Sequence, residues 1–194
     1  MIYFTADYHF SHENIIKYCN RPFKNLDHMH DILIKNWNKV VNNDDKIIVC
    51  GDFGFFGVKL GKKIVDQLNG YKIIIRGNHD ESRNRLFRMG FNEVYDEIQF
   101  AYSGHKLRFS HFPYYPTLWE RMKSKLKGIR IRCLSERPIK NVDPNIWLVH
   151  GHVHDSWGQI NVRKQMINVS CDVWKFKPIS INEIIGLIRR SKHV

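Results

Sequence analysis

The sequence predicts an α/β fold with a largely parallel sheet, and two observations indicate it. Short apolar runs of strand length alternate with amphipathic helical patterns over residues 46 to 90. The order strand, helix, strand, helix is typical of βαβ units, so these strands are expected to pair in parallel. From about Glu97 the hydrophobic period changes to two, which indicates a β-hairpin added to the parallel strands.

Length and composition predict one globular domain over residues 1–194. Hydrophobic residues make up 43% of the chain, which is typical of a globular protein. The sequence contains no run of eighteen or more apolar residues that would predict a membrane-spanning helix, so we expect no membrane partner. The chain begins in a strand pattern at Met1, without the features of a secretory signal. Its four cysteines are widely spaced and form no C-x-x-C pair, which favours a reducing compartment. We therefore expect a cytoplasmic protein.

The net charge indicates an anionic partner. Lys and Arg number 31 against 19 Asp and Glu, which gives +12 at pH 7. Such a charge attracts phosphates or nucleic acid, although a solvated lysine surface would give the same count. A strongly basic segment with nearby aromatics extends from Tyr114 to Asp143. Its role as a lid or as a static surface stays open.

The first half of the chain predicts three strands and three helices. The strands cover Ile2 to Ala6, Lys46 to Cys50 and Tyr71 to Ile75. The first helix follows a cap at Asn25 and buries apolar residues from Met29 to Val41. The other two helices contain Leu60 to Leu68, before Asn69-Gly70, and Leu86 to Met89, before Gly90.

The second half predicts two hairpins, one buried strand and a terminal helix. The first hairpin alternates from Ile98 to Phe109 around Ser103-Gly104, and the buried strand covers Ile146 to Val149. A closing hairpin pairs residues 159–162 with 165–169. Ser180 and Glu183 form a capping box before an amphipathic helix.

Five of the segments share one layout, in which an apolar strand ends at a residue that can bind a metal. Residues two apart on an extended segment point to the same face, so Asp7 and His9 can converge on one ion. Asp52 follows Gly51 at the end of a strand, at the edge where open α/β folds place ligands, and is a candidate bridge between two metals. The full set of candidate metal ligands is Asp7, His9, Asp52, Asn78, His111, His152 and His154.

The motifs D-x-H, G-D, G-N-H-D, H and G-H-x-H occur in this order and resemble the calcineurin-like metallophosphoesterase family. They are Asp7-Tyr8-His9, Gly51-Asp52, Gly77-Asn78-His79-Asp80, His111 and Gly151-His152-Val153-His154. The resemblance covers residues 1 to about 170. More narrowly, residues 7–16 and Asp172-Val173-Trp174 are similar to a group of small bacterial and phage phosphoesterases.

This resemblance implies a four-layer α/β/β/α sandwich with two mixed sheets and two divalent metal ions. One ion would be held by Asp7, His9, Asp52 and His154, and the other by Asp52, Asn78, His111 and His152. A metal-bridging hydroxide would attack phosphorus, and His79 would protonate the departing oxygen as general acid. Asp80 is expected to orient His79 and to raise its pKa. A structural role outside the reaction is the alternative for His79.

Other polar residues near these motifs have ordinary explanations. His150 precedes the glycine of its motif and is expected in the core, while His28 and His30 are expected on the surface. For His12 and Asn14, contact with substrate and a turn or helix cap both stay open. Arg76 and Arg83 could bind phosphate, although a solvated surface is the default for arginine.

The sequence therefore predicts a metal-dependent phosphoric ester hydrolase, with cleavage of phosphodiester bonds in nucleotides or nucleic acid as the first choice. Mixed nitrogen and oxygen ligands favour manganese, with iron, zinc, nickel or magnesium as alternatives.

A phosphomonoesterase acting on nucleotides or phosphoproteins would use the same seven ligands. A nucleic-acid-binding protein with a structural metal site is a further alternative. A single-zinc hydrolase is disfavoured because H-E-x-x-H is absent. The sequence does not indicate the oligomeric state.

Overall fold

Two five-stranded mixed sheets form the centre of the protein, and they confirm the predicted α/β fold. The computed structural model describes residues 1–126, 133, 135, 137–139, 143 and 145–191. In the first sheet, four strands run parallel and a fifth pairs antiparallel with β1 at one edge. These strands are β1 (Ile2–Thr5), β2 (Lys46–Val49), β3 (Tyr71–Ile75), β4 (Glu93–Tyr95) and β10 (Ile179–Ser180).

The second sheet combines the two predicted hairpins around a parallel centre. Its order is β5-β6-β7-β9-β8, with β6, β7 and β9 parallel and an antiparallel strand at each edge. The strands are β5 (Glu97–Tyr102), β6 (His105–Ser110), β7 (Ile146–His150), β8 (Ile160–Asn161) and β9 (Met166–Asn168). Ser103 and Gly104 both have positive φ, which is typical of a tight hairpin turn.

Six α-helices and one short 3₁₀ helix are present among the described residues. The α-helices are α1 (Glu13–Tyr18), α2 (Leu26–Asn38), α3 (Val58–Val65), α4 (Arg83–Met89), α5 (Leu118–Leu126) and α6 (Ile181–Ser191), and the 3₁₀ helix is Cys171–Trp174. Within the described part of the chain, none of these helices has the length and apolar character needed to cross a membrane.

The core has two main parts because both faces of the first sheet are buried. Ile47, Val49 and Ile74 point to one face and pack with apolar side chains of α2, α3 and α4. Ile48 and Ile75 alternate with them and pack between the two sheets. A strand buried on both faces shows a continuous apolar run, which is why residues 47–50 and 73–75 lack polar alternation.

The two predicted N-terminal helix caps are confirmed, whereas α3 ends at Val65 and not at Asn69-Gly70. The Asn25 side chain accepts a hydrogen bond from the backbone N–H of His28 at 2.9 Å. At the start of α6, Ser180 N–H donates to Glu183 at 2.7 Å, and Glu183 N–H donates to Ser180 Oγ at 3.3 Å. These bonds satisfy N–H groups that the first helical turn leaves without partners.

The structure adds elements that the sequence pattern did not predict. Helices α1 and α5 and strands β4 and β10 are short or polar, so no hydrophobic period marks them. The basic segment is only partly described: Lys127, Arg130, Arg132 and Lys140 lie outside the described residues.

We predict that Leu33→Ala lowers the free energy of unfolding by about 3 kcal/mol, because Leu33 of α2 is fully buried against the first sheet. Leu60→Ala is the matched control, since Leu60 of α3 is 44% exposed and should cost less than about 1 kcal/mol. Urea denaturation of both variants gives the comparison. Equal losses would contradict the described packing of α2.

Candidate metal centre

The loops that carry the predicted metal ligands meet at one edge of the sandwich. Parallel strands place their carboxyl ends on the same edge, and the loops after β1, β2, β3, β6 and β7 all leave from such ends. Backbone hydrogen bonds join neighbouring loops within each sheet. Asp7 N–H donates to the Gly51 carbonyl at 3.0 Å, and Gly151 N–H donates to the His111 carbonyl at 3.1 Å.

Six of the seven predicted ligands form two adjacent groups. In each group the candidate ligand atoms lie within 4.8 Å of one another; one group is Asp7, His9 and His154, and the other is Asp52, His111 and His152. The seventh, Asn78, joins the second group, because its Oδ1 lies 3.2 Å from His111 Nε2.

Asp52 lies between the two groups. Its Oδ2 atom is 3.5 Å from His9 Nε2 in the first group and 3.4 Å from His111 Nε2 in the second. Its other oxygen, Oδ1, accepts the backbone N–H of His79 at 3.0 Å. One carboxylate therefore faces the nitrogen donors of both groups.

The hydrogen bonds of two histidines leave Nε2 available as a ligand atom. His111 Nδ1 lies 2.8 Å from the Cys50 carbonyl and His154 Nδ1 lies 2.7 Å from Asp172 Oδ2, so each Nδ1 donates its proton. A metal-binding histidine commonly donates its second nitrogen in this way, which sets its tautomer.

His9 gives the sharpest test of whether the site fits a metal. Its ring is buried, and neither nitrogen has a hydrogen-bond partner among the described residues. Burial lowers the pKa of His9 to about 3, so the ring is neutral and keeps a lone pair. Because buried polar atoms normally have partners, this ring and the groups around it fit a bound cation.

The electrostatics of the second group also favour a cation. Burial alone would lower the pKa of His111, but the Asp52 carboxylate outweighs burial and raises that pKa to about 9. The pKa of Asp52 is held below its ordinary value against the effect of burial, first by His111. A buried carboxylate thus draws positive charge to the point between the two groups.

Two motif glycines allow the loops to approach this closely. A Cβ atom on Gly77 would lie 2.2 Å from Asp52 Oδ1, and one on Gly51 would lie 2.4 Å from His111 Nδ1. Gly51 also has a φ of +85°, which side chains rarely adopt. A larger residue at either position would displace a predicted ligand.

The backbone of the site is held in an uncommon conformation. Positive φ angles of 49° to 71° occur at five predicted ligands, which are Asp7, His9, Asp52, His152 and His154. Left-handed backbone is unfavourable for residues with a Cβ atom, and clusters of it mark functional sites.

Asp80 makes no hydrogen bond to the His79 ring among the described residues, so the prediction that it orients this ring directly is corrected. The Asp80 carboxylate instead accepts backbone N–H groups of Asp52, Phe53 and Gly77 at 2.7–2.8 Å. A buried carboxylate needs several donors, and the backbone of the two ligand loops supplies them. Burial and the nearby Asp52 charge raise the pKa of Asp80 to about 6. Asp80 therefore joins the loop of Asp52 to the loop of Asn78.

The ordinary explanations of neighbouring residues mostly hold. His150 is buried in β7, as predicted, with Nδ1 2.8 Å from the Gly151 carbonyl. Arg76 and Arg83 both pair with Asp96 at 2.6 Å, so their charges are engaged away from the ligand groups.

The two histidines expected on the surface and not among the ligands are partly exposed, so the structure confirms that expectation. His30 accepts the Ser11 N–H at 2.8 Å, and His28 accepts the Lys24 N–H at 3.2 Å. Neither belongs to the two ligand groups among the described residues.

A buried ion pair behind the site was missed by sequence reasoning. Arg21 contacts both oxygens of Asp172 at 2.8–2.9 Å and donates to the carbonyls of Asp7 and Tyr8. Asp172 also accepts from His154, and these bonds hold the pKa of Asp172 at about 2 although burial opposes this. The Asp172-Val173-Trp174 motif was the available signal, but nothing in the sequence connected it to Arg21.

A cavity of about 460 Å³ opens onto both groups. Five of the seven predicted ligands line it, together with the His79 side chain, which is exposed. This volume is in the range of pockets that bind small ligands.

Comparison with known proteins identifies the family of this chain. The family model of calcineurin-like phosphoesterases matches residues 1–184. An uncharacterized protein of Methanocaldococcus jannaschii, MJ1445, is 35% identical over 199 residues, which covers 100% of this chain and 94% of that protein.

Solved structures also resemble this chain. A protein of unknown function from Aquifex aeolicus, AQ665, is 31% identical with a TM-score of 0.69, and the match covers 97% of this chain and 99% of the other. An archaeal phosphodiesterase matches at 16% identity and a TM-score of 0.40, over 87% of this chain and 81% of its own. On the family match over residues 1–184, the chain belongs to the calcineurin-like phosphoesterase family of metal-dependent phosphoric ester hydrolases.

Proposed function

We propose that the protein hydrolyses phosphodiester bonds of nucleotides or nucleic acid with two divalent metal ions. One ion would be held by Asp7, His9, Asp52 and His154, and the other by Asp52, Asn78, His111 and His152. The observation that carries this proposal is the position of Asp52 Oδ2, 3.5 Å from His9 Nε2 and 3.4 Å from His111 Nε2. A carboxylate shared in this way suits a pair of metals better than a single one.

The charge of the ligand set suits a phosphate substrate. Only Asp7 and Asp52 among the seven residues are anionic, so two divalent cations would leave the site net positive. The mixture of imidazole, amide and carboxylate ligands fits manganese, which is our choice of metal. The net charge of +12 supports a nucleotide or nucleic-acid ester as the substrate.

When bound, two such cations lower the pKa of a water that they share and neutralise charge on the phosphoryl oxygens. His79 is proposed to hold the proton that the departing oxygen requires. Its backbone N–H is fixed by Asp52 at 3.0 Å, while its exposed ring packs against Phe55 with centroids 4.7 Å apart. The ring can therefore face the substrate without binding a metal.

Asp80 is proposed to hold the two ligand loops in position and to take no part in the proton transfer from His79. By accepting the N–H groups of Asp52 and Gly77, it fixes the ends of the two loops that carry Asp52 and His79. This arrangement would hold His79 near the reacting phosphate through the backbone.

Asp52→Asn tests the shared ligand. We expect the wild type to bind two manganese ions and to hydrolyse bis-p-nitrophenyl phosphate faster than p-nitrophenyl phosphate. Asp52→Asn should lose at least one ion, and turnover should fall by more than about 100-fold, since removing a ligand costs more than removing its hydrogen-bond partner. Metal is counted by elemental analysis of the purified protein, beside the two rate assays.

Asp66→Asn is the matched control, because Asp66 is the exposed C-cap residue of α3 and its carboxylate pairs with Lys62 at 2.8 Å. Two ions and full activity in Asp52→Asn would refute the assignment. Faster hydrolysis of the monoester would favour a phosphomonoesterase. Two bound ions without turnover of either ester would favour a nucleic-acid-binding protein.

His79→Ala tests the proton donor. We expect both metals to remain bound and turnover of diesters with a poor leaving group to fall about 10²- to 10⁴-fold. Hydrolysis of the p-nitrophenyl diester should fall much less, because that leaving group departs without a proton. The comparison needs one phenyl and one p-nitrophenyl ester of the same phosphate, and equal loss for both would exclude the general-acid role.

Asp172→Asn tests the ion pair behind His154. The amide can still accept the His154 proton but lacks the negative charge, so manganese affinity should weaken by about 10-fold. Isothermal titration of the folded variant with manganese gives this number. Asp66→Asn again serves as the control, and unchanged affinity in Asp172→Asn would show that Asp172 does not support the metal ligand.

A further inference from the structure

Aromatic rings extend from the predicted metal ligands to the protein surface. We call Tyr18, His12, Phe55 and His79 the aromatic wall. His12 is at its centre, with ring centroids 4.4 Å from Phe55 and 6.1 Å from Tyr18. Phe55 in turn lies 4.7 Å from His79. The buried His9 ring lies 5.6 Å from both His12 and Phe55, so the wall begins at a predicted metal ligand.

The outer part of the wall is open to solvent. Tyr18 is 74% exposed and Phe55 is 38% exposed. Tyr18 is the last residue of α1, a short helix whose buried anchor is Ile15. The Tyr18 ring therefore adds little to the core, whereas it lines the same cavity as Asp52 and Asn78.

Single exposed aromatics are ordinary on protein surfaces, but these rings are contiguous and end at the site. Their centroid spacings of 4.4 to 6.1 Å match those of interacting aromatic pairs. A flat ring that enters the cavity would meet the side chains of His12, Tyr18 and His79, which line it. This is the arrangement with which proteins bind unpaired nucleobases, and it tolerates any base sequence because every base has a π face.

We infer that the aromatic wall stacks a nucleobase of the substrate, on the side of the leaving group. The inference rests on the proposed function, because His79, proposed to protonate the departing oxygen, is itself part of the wall. With the phosphate at the metal ligands, the departing nucleoside extends past His79 and His12 toward Tyr18. The wall thus selects esters of nucleosides over esters of simple alcohols.

The test measures binding, so it does not depend on turnover. Manganese-loaded protein is titrated calorimetrically with thymidine 5′-monophosphate and with deoxyribose 5-phosphate, which differ by the base. The wild type should bind the nucleotide about tenfold more tightly, within the range of one base stacked on an aromatic ring. In Tyr18→Ala this ratio should fall toward one, and in Tyr18→Phe it should be retained.

Phe87→Ala is the control, because Phe87 is also an exposed aromatic, 49% accessible, but lies on α4 and outside the cavity. Equal wild-type affinity for the two phosphates would overturn the inference, and so would an unchanged ratio in Tyr18→Ala. A base-dependent affinity without hydrolysis of any ester would instead refute the proposed function and leave the nucleobase site standing.

Discussion

Two nearly inaccessible carboxylates, Asp7 and Asp52, impose the constraint on which the arrangement of the site depends. A carboxylate removed from water requires N–H donors or positive charge around it. Asp7 accepts the backbone N–H of His152, and Asp52 accepts the N–H of His79. Each carboxylate and its donor belong to different loops, so these hydrogen bonds bring the ends of β1, β2, β3 and β7 close together. The histidines of these loops are placed near the carboxylates as a result. The negative charges of the two buried carboxylates also make the space between the ligand groups favourable for cations.

This convergence is possible because the two sheets pack over a shared apolar layer. Ile48, Ile75, Phe109 and Val149 lie between the sheets and fix the distance between the strand ends. The loops beyond them can then be held in left-handed backbone conformations that would be costly in isolation. The packed strands thus hold the strained loops in place, and the aromatic wall extends from one of these loops to the short helix α1.

The convergence of the predicted ligands could be anticipated, whereas their supporting partners could not. Parallel strands share an edge at their carboxyl ends, so residues placed there by an apolar run must meet. No such rule connects Arg21 with Asp172, which are 151 positions apart. The expectation that Asp80 orients the His79 ring directly failed for the same reason, since adjacency in sequence does not determine which donors a buried carboxylate faces.

By itself, the sequence determined most strands, the main helices, the N-terminal caps of α2 and α6 and the order of metal-competent residues, because periodicity and capping depend on neighbours a few positions apart. The tertiary structure alone decided that Asp52 faces both ligand groups, that Asp172 supports His154, and that Tyr18 extends an aromatic surface from the site. These features depend on how distant segments are oriented once the two sheets have packed. Local patterns contain no information about that orientation.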